Sequence, residues 1–526
     1  MAYRHGVYTS EVSTSIQTAA PVDSALPFVI GTAPRQVGPV LITSWSRYCA
    51  AFGVSENVDI NGPEFSRGGT LTNFAYYWFI LAGRSDCILQ SLPAMKYSSE
   101  PFQVKVGADV VEARFNVGVG LVSAANRDTA RKAVESGSGR IVWDAGTSKY
   151  VASYGSEDVT AALTNDSYIA PITITLDDVN VTLSLVAVAD NSAITAATLP
   201  DGVTELSFEL HAYGEVAESI VPVTAAIQSI HTLYERFSRV ASILLVPGAY
   251  FAPNFAGLAA VMASAVSNIG GRFKGVALVD LPAGDKLTDY STVVSLESVH
   301  ESKESTSPYL IYAWPNVGVG EFRFPASVAL AAAINATDGQ YGGLPYVSPS
   351  NKPLPVTGAY YVSENNEDGE IAEVPVFATR DDENTYLGAY GITGFRNTAQ
   401  GWVAWGDNTA AFPGSTDVKD YMIPIRRMFN YVSNQFQIFA DARVDMPLNL
   451  RQLEGVVKSF NQILAGWVGF GALNAGSVEL DKELNTTASL LSGTVYIRIR
   501  IAPPPAMVVI EGVLEYDVQG FERSLA

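Results

Sequence analysis

The sequence predicts a multidomain protein of mixed α/β and α+β class, on three observations. Short, continuously apolar strands alternate with amphipathic helices in two separate stretches, which is typical of a mostly parallel sheet covered on both faces. Between these stretches the apolar residues change to a period of two, which indicates an inserted all-β module. Beyond them come long helices and a pair of strands. With 526 residues and 48% hydrophobic content, the chain has room for about two to four domains.

The first element is an extended arm over residues 1–22. A short β-prone run, Val7 to Val12, is followed by a stretch with too little apolar content to fold alone. Fully extended at roughly 3.3 Å per residue, an arm of this length is long enough to touch a neighbouring subunit.

A discontinuous α/β domain is predicted over residues 23–98 and 220–375. Each part alternates apolar strands with helices such as the one over 71–82 and those after Thr224. The predicted strands lie at 28–33, 40–45, 87–89, 243–246, 276–279 and 309–312. The interruption, residues 99–219, carries hairpin signals of its own and is predicted to be a β-rich outer domain.

An inner α+β domain is predicted over 376–505, followed by a C-terminal arm over 506–526. Its helices are expected at 417–442 and 448–465. Residues 495–501 alternate apolar and polar side chains, as a half-buried antiparallel strand requires. After Pro503–Pro505, residues 507–516 form a second exposed strand candidate.

Composition and charge exclude several function classes. The net charge of −20 argues against nucleic acid or an anionic membrane as a partner. Only 16% of residues are charged, which suits a protein packed against copies of itself. No apolar run approaches the roughly 18 residues needed to cross a bilayer, so we expect folding in the cytoplasm. Cys49 and Cys87 are expected to be buried, unpaired side chains.

Motifs for catalysis or for cofactor and metal binding are missing from the sequence. The four histidines are scattered, and no nucleophile elbow, phosphate-binding loop or complete dinucleotide fingerprint is present. Residues 364–370 lack the ligand spacing of a calcium loop and are predicted to be solvated. Asp381, Asp382 and Glu383 are expected to face water. We therefore predict that the protein is not an enzyme and needs no cofactor.

Ordered sequence blocks resemble the contractile tail sheath proteins of myophages and contractile bacteriocins. The most specific block runs from Phe324–Ser327 through the Asp338 turn to the Ser348–Asn351 loop. Gly401–Thr409 is similar to a glycine and tryptophan strand of the family, although Asn408 replaces its usual arginine. The arginine pair Arg426 and Arg427 and the closing hairpin also match, whereas residues 100–220 show no correspondence.

This resemblance implies a structural subunit that forms hexameric rings, stacked helically around a tail tube, with baseplate and tail terminator proteins as further partners. It implies assembly in the host cytoplasm and residence in the virion tail. In this family, terminal arms add strands to a neighbour's inner domain, and contraction drives the tube through the cell envelope. The terminal segments of this chain suit such strand exchange between subunits. The residues predicted to exchange strands are Val7, Tyr8, Glu11, Val12, Val495, Ile497, Ile499, Ile510, Val513 and Tyr516.

Two further roles are predicted for charged side chains. Arg451, Glu454 and Lys458 lie at helical spacings of three and four, and either face the tube or form an ordinary solvated helix face. Arg426 and Arg427 are expected to brace the inner domain through carboxylates.

Two functions of other classes stay open at this point. A β-rich carbohydrate-binding adhesin or spike would rest on the inserted module and would bind sugar without polymerising. A hydrolase would use paired acidic residues such as Asp381 and Asp382, and substituting them would abolish turnover.

Overall fold

An eight-stranded sheet forms the centre of the protein in the computed structural model, which describes residues 22–57, 69–92, 96–118, 138–154, 162–163, 168–169, 172–176, 179–188, 192–213, 220–248, 257–281, 299–320, 322–364 and 371–525. The strands of this sheet are β1 (Pro27–Gly31), β2 (Val40–Ile42), β3 (Cys87–Ser91), β14 (Ile243–Leu245), β15 (Val276–Asp280), β16 (Leu310–Ala313), β21 (Ile392–Thr398) and β22 (Gly401–Trp405). Their spatial order is β2-β3-β1-β14-β15-β16-β21-β22. The mixed α/β class predicted from the sequence is confirmed.

The inner strands of this sheet pair in parallel, from β3 through β21, and only β2 and β22 join as antiparallel edges. Residues of β1, β14 and β16 are all buried, which explains why their sequences are continuously apolar. Cys49 and Cys87 are buried free thiols, as predicted.

Helices cover this sheet and connect its strands. They are α1 (Trp45–Phe52), α2 (Gly69–Tyr76), α3 (Ile220–Gln228), α4 (Leu233–Phe237), α5 (Leu258–Ser267) and α6 (Ala326–Gln340). A π-helix over Tyr77–Leu81 extends α2, and a 3₁₀ turn over Ser229–Thr232 joins α3 to α4. Asp280, at the carboxyl end of β15, accepts a hydrogen bond from the backbone N–H of Ser327 at 2.6 Å, so it fixes the start of α6.

A second sheet occupies much of the predicted insertion. Its strands are β4 (Lys96–Ser99), β5 (Phe102–Val106), β6 (Asp109–Gly118), β7 (Ser138–Asp144), β8 (Lys149–Tyr154), β9 (Ala162–Leu163), β10 (Ile172–Leu176), β11 (Val179–Ala187), β12 (Ala193–Ile194) and β13 (Glu205–Tyr213). All of its pairings are antiparallel, and it packs around a core of its own that includes Phe115 and Phe208. The boundaries of the predicted domains stay predictions.

A four-stranded antiparallel sheet, which the sequence analysis missed, lies next along the chain. It contains β17 (Asn316–Val319), β18 (Phe322–Phe324), β19 (Gly358–Glu364) and β20 (Ile371–Pro375). It is followed by the short helix α7 (Arg380–Asp382), a π-helix over Glu383–Leu387 and a 3₁₀ turn over Gly388–Tyr390. β21 and β22 come after these elements and return to the eight-stranded sheet, although their residues lie inside the range predicted for the inner domain.

The C-terminal part contains α8 (Val418–Tyr421), α9 (Ile423–Asp441), α10 (Leu450–Phe470), β23 (Ala475–Leu480), α11 (Thr487–Leu491), β24 (Ile497–Ala502) and α12 (Val518–Leu525). The single helix predicted over 417–442 is therefore two helices. Met422 has extended backbone angles and separates the two helices. Pro424 lies in the first turn of α9, where its missing backbone N–H breaks no helical hydrogen bond. The second predicted helix is present, but it ends at Gly471, whose φ of 86° favours glycine.

The strand predicted over 507–516 is wrong for the isolated chain. Residues 503–517 belong to no helix or strand, and β24 pairs with β23 instead. A lone segment needs a partner strand before it can form a ladder, and the sequence pattern does not say where that partner is. None of the helices in the described ranges has the length and apolar content needed to cross a membrane.

An aromatic cluster joins α9 to α10. Phe460 of α10 is fully buried and lies edge-on to Phe436 at 5.1 Å between ring centroids and against Phe439 at 5.2 Å. About two turns further on, Trp467 packs against Tyr431 at 5.6 Å. Such pairs add to the hydrophobic burial, so the two helices form one rigid support.

We predict that Phe460→Ala lowers the free energy of unfolding by about 3–5 kcal/mol, because it opens a cavity between two helices that cannot close together easily. Urea unfolding of the dilute monomer measures the change. Leu450→Ala on the same helix is the matched control, since its side chain is 69% exposed and its loss should cost under about 0.5 kcal/mol. Equal losses in the two variants would contradict the prediction.

Candidate assembly interface

The hairpin of β23 and β24 has one apolar and one charged face. Ile497, Ile499 and Ile501 alternate along β24 and pack against the main hydrophobic core. On the other face, Arg500 Nη1 lies 2.5 Å from Glu479 Oε1, and both side chains are more than half exposed. Such an exposed pair contributes little, about 0–1 kcal/mol, so the apolar face fixes the hairpin on the protein.

The outer edge of β23 is covered by α10 through one side chain. Asn461 Nδ2 donates to the carbonyl of Val478 at 2.8 Å, and Asn461 Oδ1 accepts from the Val478 N–H at 2.9 Å. Both backbone groups of Val478 therefore point at the helix, away from β24. In an antiparallel ladder, directly opposite residues either exchange both bonds or direct both outwards, so Ile499, opposite Val478, also points away from the hairpin.

β24 consequently has a free edge. The backbone hydrogen bond from the Asp481 N–H to the Tyr496 carbonyl, 3.0 Å, fits this alternation, because Asp481 and Tyr496 lie an odd number of residues, three, from Val478 and Ile499. The N–H and C=O groups of Ile497, Ile499 and Ile501 therefore face outwards. In the part of the chain that the structure describes, no strand pairs with this edge. An edge of this kind accepts a further strand.

The connection that leads into β24 is tightly held. Asn485 Nδ2 donates to the carbonyl of Tyr496 at 2.7 Å, and Asn485 Oδ1 accepts from the Tyr496 N–H at 2.8 Å. Backbone N–H groups of Leu484 and then Glu483, followed by Arg498, lower the pKa of Asp481. The free edge thus belongs to a fixed structure.

An exposed apolar segment follows β24 after the three prolines. Seven apolar side chains within residues 507–516 are between 66% and 99% exposed: Met507, Val508, Val509, Ile510, Val513, Leu514 and Tyr516. Soluble monomers rarely present so many neighbouring apolar groups to water, and a contiguous set of this kind marks an interaction site.

The predicted tube-facing residues share the exposed face of α10. Arg451, Glu454 and Lys458 are all exposed on this helix, whose opposite side carries the buried Phe460 and Leu464. Glycines at 455, 466 and 469 have open space around them, so the helix backbone on this side is accessible.

The two arginines of α9 are buried and differ in their partners. Arg427 Nη2 lies 2.6 Å from Asp338 Oδ2, and the same nitrogen donates to the carbonyl of Ser24 at 3.1 Å. Arg426 Nη1 is 3.4 Å from Asp420 Oδ1, and its guanidinium lies over the Tyr309 ring at 5.1 Å.

The predicted strand-exchange residues are placed as follows. Ile497 and Ile499 lie on β24, and Val495 precedes it. Ile510, Val513 and Tyr516 lie in the exposed apolar segment. The N-terminal set, Val7, Tyr8, Glu11 and Val12, lies outside the described residues.

No protein-family model matches the chain. The chain is 27% identical over 139 residues to the tail sheath protein of Burkholderia phage BcepMu, a match that covers 26% of this chain and 29% of that relative. The match therefore spans less than a third of the relative's length.

Solved structures resemble nearly the whole chain. The contracted sheath complex of PVC, an extracellular contractile injection system, aligns with a TM-score of 0.54 and 14% identity over 99% of both chains. The contracted helical sheath of the anti-feeding prophage aligns with a TM-score of 0.52 and 16% identity over 98% of this chain and 100% of that one. The chain has the fold of a contractile sheath protein. The predicted resemblance to contractile tail sheath proteins is confirmed.

Within this sheath fold, the expectation that three adjacent acidic residues face water is wrong for Glu383. Its side chain is buried, and burial raises its pKa to about 8, against the opposing effect of Arg396, whose Nε lies 3.8 Å away. Asp382 accepts a hydrogen bond from the N–H of Thr379 at 3.0 Å and so caps α7, and Asp381 is exposed. Most of the predicted solvated loop over 364–370 lies outside the described residues.

Asp407, in the glycine and tryptophan block that resembles the sheath family, is also buried. Ser348 Oγ donates to Asp407 Oδ1 at 2.6 Å, while Asp407 Oδ2 has no hydrogen-bond partner among the described residues. Burial raises the pKa of this carboxyl to about 7, and the bond from Ser348 opposes the rise only in part.

We predict that this carboxyl makes the sheath fold less stable as pH rises. The folded state holds the Asp407 proton up to about pH 7, whereas the unfolded chain releases it near pH 3.8, so stability is full below pH 3.8 and falls as pH rises through 7. Asp407→Asn should remove up to about 1.4 kcal/mol per pH unit from the slope of the unfolding free energy. Urea unfolding between about pH 5 and pH 8 measures it.

Asp201→Asn is the control for this prediction, because the Asp201 side chain is 89% exposed. Burial also raises the pKa of Glu383 to about 8 and the pKa of Asp280 to about 6. These two groups therefore make the unfolding free energy fall with pH in every variant. A slope unchanged by Asp407→Asn would show that Asp407 is ionised in the folded state.

Proposed function

We propose that the chain is the subunit of a contractile tail sheath, which polymerises around a tail tube and shortens to drive the tube through a cell envelope. The observation that carries this proposal is the free edge of β24 together with the exposed apolar segment that follows it. The sheath fold supports it, as does the sequence similarity to the phage tail sheath protein. The subunit would be assembled in the host cytoplasm and act as a structural component of the tail.

Strand donation would join the subunits. Residues 508–516 of one subunit would pair with the edge of β24 of another, because among the described residues neither set of groups has a partner in its own chain. Three outward residues offer about six hydrogen bonds, each contributing roughly 1 kcal/mol, and burial of the apolar side chains adds to this. The contact is therefore strong enough to persist while subunits move.

The N-terminal donor would occupy a second position. β23 is covered by Asn461, so the hairpin offers one edge, and only one strand can add to it directly. A second donated strand, from residues 7–12 of a further subunit, would pair with the first donated strand. Three subunits would then meet in one sheet.

Contraction would be a rigid-body rearrangement of subunits around these connections. Pro503–Pro505 would act as a semi-rigid spacer between β24 and the donated strand, since proline runs adopt an extended conformation. The extended polymer would be metastable and would store the energy of shortening, so no cofactor or nucleotide is needed. Hexameric rings stacked helically are the arrangement that we propose, with baseplate and terminator proteins at the ends.

The exposed face of α10 would contact the tube. Arg451, Glu454 and Lys458 supply charged groups at spacings of one helical turn, and the three exposed glycines allow another surface to approach the backbone. Arg427 would brace the domain that carries this helix, through Asp338.

We predict that the double variant Ile510→Asp, Leu514→Asp folds normally and fails to polymerise. These side chains are 83% and 99% exposed, so the unfolding free energy of the monomer should change by under about 0.5 kcal/mol. In a donated strand they would be buried, and the introduced charges would be desolvated. Negative-stain electron microscopy of the purified protein measures the yield of helical tubes.

Glu511→Asp in the same segment is the control, and it should form tubes like the wild type. Removal of residues 507–526, or of residues 1–21, should also leave a folded monomer that forms no tubes. Normal tubes from either truncated protein would refute strand donation. A wild-type protein that stays monomeric with added tube protein, and that binds sugar, would favour the adhesin.

We further predict that the double variant Arg451→Glu, Lys458→Glu lowers the amount of sheath that co-sediments with tail tube by about tenfold or more. Both substitutions reverse a charge on the same exposed face of α10. Self-polymerisation should be unchanged, since β24 and the terminal segments are untouched. Lys482→Glu, on the exposed turn after β23, is the control. Equal co-sedimentation of all three proteins would place the tube contact elsewhere.

A further inference from the structure

Five consecutive residues, 22–26, are held by side chains from distant parts of the chain, directly after the predicted N-terminal arm. Each residue in this segment, which we call the arm root, accepts or donates at least one such bond. The partners are Gln435 for the N–H of Val22, Arg239 for Asp23, Arg427 for the carbonyl of Ser24, Asn335 for the carbonyl of Ala25 and Ser242 for the N–H of Leu26, at 2.7 to 3.2 Å.

Arg239 makes the strongest of these contacts. Its Nε and Nη2 donate to the two carboxylate oxygens of Asp23 at 2.7 and 2.9 Å, and its Nη1 donates to Asp86, which precedes β3. Bidentate arginine and carboxylate pairs combine charge with fixed geometry. The guanidinium therefore links the arm root to the segment that leads into β3 of the central sheet.

The arm root is also closely packed. Val22, Ala25 and Leu26 are at most 6% exposed, and the cavity between the root and α9 measures about 10 Å³, room for roughly one water. Beyond Leu26 the chain enters β1, which lies inside the eight-stranded sheet between β3 and β14. Tension applied to the N-terminal arm would therefore reach the buried strand β1 unless the contacts of the arm root hold.

A continuous set of contacts leads from the root to the free edge of β24. Gln435 and Arg427 belong to α9, which the aromatic cluster joins to α10. From α10, Asn461 holds Val478 of β23, and β23 pairs with β24. The root of one predicted donor and the acceptor edge are therefore attached to the same pair of helices.

We propose that residues 22–26 and their five partners form a mechanical anchor, which passes tension on the N-terminal arm to α9 and α10, and so to the acceptor hairpin, before the tension reaches β1. This inference rests on the proposed donation of the N-terminal arm. A subunit with this anchor transmits load from the neighbour that receives its arm to the neighbour that donates to β24. Arg239, Ser242 and Asn335 spread part of this load over the central domain, and β1 is loaded only when the anchor ruptures.

Pulling single full-length monomers between Ala2→Cys and Ser492→Cys in an optical trap tests the anchor. The native thiols Cys49 and Cys87 are buried with raised pKa and should not take up the handles. In the protein that carries the two handle cysteines, the double variant Arg239→Gln, Gln435→Ala should lower the force of the first rupture. It should also add an early extension of about 17 Å as five residues peel away. Asp23→Asn, a milder change, serves if the double variant does not fold.

Arg272→Gln is the matched control. Arg272 is also part-exposed and contacts two carboxylates, Asp441 at 3.0 Å and Glu235 at 3.6 Å, but it does not touch the arm root. Its first rupture force should equal that of the wild type. Equal forces in the wild type and the anchor variants would overturn the proposal. Because the measurement uses monomers, a wild type that never polymerises would refute strand donation and leave the pulling result valid.

Discussion

Ile497, Ile499 and Ile501 direct their backbone N–H and C=O groups away from β23, and each of these groups needs a hydrogen-bond partner. No strand among the described residues supplies that partner, which leaves a reactive strand edge. Proteins usually blunt such an edge with charge or a covering element. Here α10 covers β23 and leaves β24 open, while the apolar segment that could cover β24 is carried beyond three prolines. Under the proposed strand donation, another copy of the chain would complete this edge.

The rest of the C-terminal part keeps this edge in one position. Phe460 and Trp467 fix α10 on α9, Asn461 holds the outer edge of β23, and Asn485 holds Tyr496, directly before β24. A strand edge that moved freely would lose conformational entropy on every binding event, so this rigidity lowers the cost of association.

Sequence patterns predicted the parts whose signal is local. The buried parallel strands are continuously apolar, α10 has an amphipathic repeat, and β24 alternates isoleucine with arginine. β23 was missed because Ala475–Leu480 contains small and polar residues whose pairing depends on Asn461. The anchoring of residues 22–26 was missed because its partners lie more than 200 residues away. An asparagine inside a helix, where this residue is unfavourable, was the only signal for the covered edge.

The number of donors and acceptors then bears on the shape of the polymer. A strand donated to a different surface of the next subunit is a heterologous contact, and such contacts close into rings or continue as helical filaments. One donor segment and one edge would give a single chain of subunits. Two donors that share one acceptor sheet would link each subunit in two directions, which a stack of connected rings requires. If both terminal segments are donated as proposed, the open edge of β24, with its partner edge covered by Asn461, would favour a tubular lattice over a ring or a simple fibre.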